Sequence, residues 1–139
     1  MRTAECMPAP MLAALRELLG EVVDDVLVVE RSWYARLHGP VRATTRRNRI
    51  LLRGSRAEFF ADPELVLHEY FHVVRQWNRG RLSVSGYLRE SLRNGYWLNR
   101  YERQARRFAA RRLPALRSRL GHSADACPEV RGHAVRGNV

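Results

Sequence analysis

From Asp62 to about Trp77 the chain reads as one helix with titratable side chains in the middle of an apolar run. No other stretch constrains the fold as much. Asp62-Pro63-Glu64 has the chemistry of a helix start: a capping carboxylate, a proline at the first helical position where its missing N–H costs nothing, and an acid facing the positive end of the helix dipole. Leu65, Val66, Leu67, Val73 and Val74 then flank His68, Glu69 and His72, so the polar group is expected to sit in a largely buried element. Two buried histidines without partners would be costly, and whatever packs around this helix has to satisfy them. Asn78 to Gly80 supply the stop.

His68 and His72 stand four residues apart, so both imidazoles leave one face of the helix within reach of a common ion. Glu69 lies roughly 100° around the helix from His68 and can touch a water at an open coordination position without displacing it. That pattern, His-Glu-x-x-His, is what a zinc site for water activation requires. A third protein ligand has to come from downstream, where Glu90 and Glu102 both fall on predicted helices. Glu102 either pairs at the surface with Arg103, Arg106 or Arg107, or turns inward to the metal. Ala105 and Ala109 mark its side of the helix as closely packed, which favours Glu102 inward and keeps Glu90 as the alternative.

Elsewhere the pattern predicts a first helix over Ala9 to Leu19, a strand from about Val26 to Leu37, a turn at His38-Gly39-Pro40 and a second strand within Ala43 to Leu52. Two further helices are expected, roughly Gly86 to Leu92 and Tyr96 to Leu113, broken at Asn94-Gly95 and ended by Pro114. The fold class is therefore α+β and mainly helical: a single domain over residues 1–120, with a two- or three-stranded sheet beside the motif helix. Residues 121–139 show no periodicity and are expected to form a flexible tail.

The 139 residues and 45% hydrophobic content suit one core without disulfide staples. Cys6 and Cys127 are the only cysteines, too few for a Cys-rich zinc site and expected to be free thiols, although Cys6 could occupy the open zinc position and silence it. The opening stretch Met1 to Gly20 lacks the unbroken apolar run expected of a secretory signal, and no segment is apolar for long enough to suggest a membrane span. The expected location is the cytoplasm of the producing cell, with delivery outside by a signal-less injection system left open. All 25 basic residues are arginine and the formal charge is +11, a surplus that favours anionic partners. Between Arg100 and Arg119, eight arginines with interleaved Tyr101 and Phe108, and with Tyr96 and Trp97 just before them, make nucleic-acid binding the competing function. A third reading is a zinc-stabilised interaction module without catalysis.

The run from Leu65 to Val74 followed by Glu102-x-x-Ala105 resembles the gluzincin type of zinc metallopeptidase. The stretch from Arg42 through Thr44-Thr45, Ile50-Leu51-Leu52 and His68-Glu69 to His72-Val73-Val74 is similar to the small zinc-peptidase-like domains of bacterial toxins and phage-tail-like injection systems. The resemblance spans roughly residues 26–112 and implies His68, His72 and Glu102 as zinc ligands and Glu69 as general base. It also implies a peptide or protein substrate bound along a strand, and a secretion-apparatus or effector partner. Arginines of that strand, Arg46 and Arg49, would then prefer acidic or polar side chains. One position departs from the thermolysin-like members: four residues after Glu102, where they carry an aspartate that orients a histidine, this chain has Arg106. Asn99 or a backbone carbonyl is the expected substitute. Tyr87, Tyr96, Tyr101 and His122 are near enough in sequence to serve as an oxyanion donor, and nothing in the sequence selects among them.

Overall fold

A computed structural model describes residues 7–37 and 41–124, without the side chains of 122–124. The turn expected at residues 38–40, Cys6, Cys127 and the part of the expected 121–139 tail beyond Ala124 lie outside the described residues, while 121–124 belong to the last helix. The first helix forms where its apolar spacing predicts, as α1 (Ala9–Leu19), with Met11, Leu12, Leu15 and Leu19 buried on one face. A 3₁₀ turn at Glu21–Asp25 follows, pinned to α1 by the Arg16–Asp24 ion pair at 2.7 Å.

The expected strand from Val26 to Leu37 is corrected to two elements, β1 (Leu27–Val29) and a short helix α2 (Trp33–Leu37). Arg31 turns the chain at φ 46°, and its N–H reaches Gly54 O while that of Ser32 reaches Leu52 O. Those bonds end the strand pairing after three residues. The second expected strand is likewise a hairpin, β2 (Ala43–Arg46) and β3 (Arg49–Leu52), with Asn48 at φ 56° in its turn. Asparagine tolerates this conformation better than most residues. The sheet order is β1-β3-β2, with β1 parallel and β2 antiparallel to the central β3.

A short helix α3 (Arg56–Phe60), capped by Ser55, leads into α4 (Pro63–Phe71), whose cap Asp62 accepts the Leu65 N–H at 3.1 Å. From His72 to Trp77 the same helix widens into a π turn. α5 (Val84–Leu98) breaks at Gly95, φ 74°, as expected, and Asn99 makes a second break before α6 (Arg100–Ala124).

Pro114 does not end the last helix, contrary to its sequence reading. Leu113, Leu116 and Leu120 continue the apolar face against the core, with Leu116 fully buried, while Pro114 and Ala110 point to water. The carbonyl left without a helical partner is thus solvated, and packing against α1 carries the helix past residue 120. Arg119 and Glu17 form an ion pair across these two helices. The result is a mainly helical α+β fold whose single core gathers α1, the sheet, α4 and α6. Among the described residues no helix is long and apolar enough to cross a membrane.

Candidate metal centre

α6 lies close against α4 because Ala105 and Ala109, both buried, face it without bulk. That approach brings the Glu102 carboxylate over the two histidines. Its Oε2 is 2.9 Å from His68 Nε2 and 3.3 Å from His72 Nε2, and the two nitrogens are 3.1 Å apart. Four-coordinate zinc with ligands about 2.0–2.1 Å away sets its donors roughly 3.3 Å apart. The triangle is therefore close to metal-ready in size. It consists of donor types that zinc accepts, and His72 and Glu102 are only 3% and 6% exposed.

The tautomer of His72 is set by a residue absent from the sequence expectations. Gln76, one π turn on, donates its amide N–H to the Tyr101 carbonyl and to Gln104 Oε1, both at 3.1 Å. A backbone carbonyl only accepts, so the Gln76 oxygen must face His72, where it takes the Nδ1–H at 2.7 Å. The Nε2 lone pair of neutral His72 then points into the triangle. Orientation by Asn99 is corrected: its side chain bonds Ser91 Oγ and the Tyr101 N–H, capping α6 instead. Arg106, at the departing position, stacks on the Trp97 ring.

Glu102 is also held on its far side, where the Tyr87 hydroxyl donates to Oε1 at 3.0 Å. Tyr87 thus holds the cluster directly, and Tyr96 also lies beside the Glu102 carboxylate, while Tyr101 packs in the interior and bonds Arg100. Burial pushes the Tyr87 hydroxyl well up, and it pushes Tyr96 up to about 12, the Glu102 and Glu69 carboxylates adding to both. Both phenols stay protonated and able to donate. Glu90 is turned away from the site, accepting from the Asn94 side chain and the Arg100 N–H.

Burial, the largest single effect, disfavours a charged His72, yet the hydrogen bond to Glu102 and the negative charges of Glu102 and Glu69, with Gln76 adding, together outweigh it and the pKa is raised. For Glu102 burial is again opposed, here by the two histidines, which hold it well below the usual carboxylate range. Glu69, 7% exposed, is raised by burial, with the histidines working against the rise.

Comparison with protein-family models, curated proteins and solved structures finds no match. A cleft of about 400 Å³ opens between β2 and α5 over Glu69, His72 and Glu102, and a second hollow of about 330 Å³ opens over His68. The two share Val41, Ala43, Glu69 and Tyr96, so together they make a groove that passes over Glu69. β2 is an edge strand, and its length borders that groove.

Proposed function

We propose that the chain is a zinc-dependent metallopeptidase that binds an extended peptide along β2 and hydrolyses it beside Glu69. The observation that carries this reading is the convergence of His68, His72 and Glu102 under an open groove, with Glu69 buried at the groove floor. The ion would be held by the two Nε2 atoms and the Glu102 carboxylate. When bound, zinc lowers the pKa of a ligated water to about 7 and polarises a carbonyl oxygen.

The remaining chemistry belongs to the side chains. Glu69, its carboxyl pushed up by burial, accepts a proton from the attacking water and delivers it to the departing amine. Gln76 and Tyr87 keep His72 and Glu102 in their donor orientations. Tyr96, protonated and at the waist of the groove, is placed to donate to a developing oxyanion. The free edge of β2 offers backbone groups for pairing with the substrate chain. A role as a delivered effector rests on the family resemblance alone.

The nucleic-acid reading has weaker support. Arg103, Arg107 and Arg111 do form one exposed face of α6, but Tyr101 is buried, Phe108 packs on Phe71, and of the two exposed rings Trp97 stacks with Arg106 and Tyr96 lines the groove. The decisive experiment pairs metal analysis with casein or proteome-peptide cleavage for the wild type and Glu69→Gln. Zinc bound by both, with cleavage lost in the variant, is the expected result. Zinc without cleavage in the wild type would leave a non-catalytic zinc module, and no zinc in either would remove the site.

A further inference from the structure

One end of the groove carries a cation that the catalytic reading does not use. Arg46, at the last position of β2, lies half-buried with its guanidinium over two aromatic rings, 5.0 Å from the centre of Tyr34 and 5.6 Å from that of Trp77. Trp77 is itself fixed against the strand, donating its indole N–H to Thr45 Oγ1 at 3.1 Å. Arg46 donates to the Tyr34 hydroxyl and to the Thr45 carbonyl, which leaves further guanidinium N–H groups for a ligand.

No carboxylate forms an ion pair with Arg46 among the described residues. Glu69 and Glu102 share its cleft but belong to the histidine cluster, and Asp25 borders a further hollow that Arg46 also lines without forming an ion pair with it. Directly across the ladder from Arg46 stands Arg49, with Arg47 in the turn between them. Like charges opposite one another weaken a strand pair. A planar cation held rigidly on aromatic faces, flanked by its own kind and open to a groove, is suited to bidentate capture of a carboxylate.

We propose that Arg46 recognises a substrate carboxylate at the Trp77 end of the groove, so that the site prefers peptides presenting an acidic side chain or a free C-terminus there. This rests on the groove being a peptide site, as argued above. It separates Arg46, stacked and poised, from Arg49, which is exposed on the neighbouring strand. The chemistry recognised is the carboxylate, and its two sources are distinguishable by experiment.

The test uses the zinc-loaded full chain and a set of N-acetylated, C-amidated octapeptides in which one Glu replaces Gln at each position in turn. The Gln parent with a free C-terminal carboxylate completes the set. Affinities are measured by calorimetry for the wild type, Arg46→Gln and Arg46→Lys. At least one carboxylate-bearing peptide is expected to bind about tenfold tighter than its Gln or amide counterpart. That gap should close in Arg46→Gln and narrow in Arg46→Lys, which keeps the charge but loses the planar fork. A Glu-dependent gap assigns a side-chain carboxylate, and a gap confined to the free terminus assigns the chain end. Equal affinities across the wild-type set, no binding of any peptide, or a preference that persists in Arg46→Gln would overturn the proposal, the first two without needing a variant that folds. Cleavage is scored separately: peptides that show the preference yet are never cut contradict the peptidase reading and leave the role of Arg46 standing.

Discussion

His72 illustrates how much a single imidazole here depends on its neighbours. In the metal-free protein its pKa is raised by Glu102, so it contributes stability that is fully present below the ordinary histidine value of 6.5 and lost as pH rises through the folded value. Glu69, raised by burial, acts with the same sign from its ordinary value of 4.5 upward. Glu102 acts oppositely, its contribution disappearing only as pH falls into the acid range. Thermal melts of the chelated protein are therefore expected to show Tm falling from about pH 6 to about pH 8. The added stability from zinc should grow over the same range, since imidazoles must be neutral to bind. A chelated protein that gains stability across that window would contradict the His72–Glu102 pairing. Gln76 is the second residue-scale test. Gln76→Ala should weaken zinc binding about 10- to 100-fold in a chelator competition, by releasing the His72 tautomer. Unchanged affinity would mean the ring needs no such partner. A glutamine four residues after the second histidine is visible in the sequence, but its meaning is not: only the Tyr101 carbonyl, 25 residues on, decides which end of the amide faces the ring.

At the scale of elements, local chemistry was readable wherever it was self-contained. The cap at Asp62, the apolar stripe of α1 and the break at Gly95 each depend on residues within a turn of one another. Arg46 to Arg49 was not readable as a hairpin turn, because a run of arginines beside threonine and isoleucine looks like one strand with a wet face; what bends it is Asn48, whose backbone N–H donates to Asn78 Oδ1 and whose side-chain oxygen accepts from Asn78 Nδ2. Pro114 misled for the opposite reason. Its local signal for a stop is strong, and the buried Leu116 overrides it through packing against distant elements. Replacing Pro114 with Ala should restore an N–H to the interior of α6 and raise Tm, by an amount corresponding to at most about 3 kcal/mol. A helix that ended at residue 113 would show no such gain.

For the molecule as a whole, the sheet and the helices have separate duties. The core of α1, β3, α4 and α6 sets how closely α6 approaches α4, and so whether Glu102 reaches the histidines; the edge strand β2 and the largely exposed α5 form the walls of the groove. The histidine spacing was legible from Asp62 to Trp77 alone, and the α+β class from the alternation of helical and strand patterns along the chain. The groove was not, since it is bounded by Val41, Tyr87 and Tyr96, which share no local pattern and meet only in three dimensions. The proposed chemistry requires an ion between α4 and α6. Anomalous diffraction at the zinc edge from crystals of the zinc-loaded chain tests it most directly. One peak is predicted within bonding distance of His68 Nε2, His72 Nε2 and a Glu102 oxygen, with no protein sulfur as a ligand. Absence of density there, or a zinc ion held elsewhere in the chain, would contradict it.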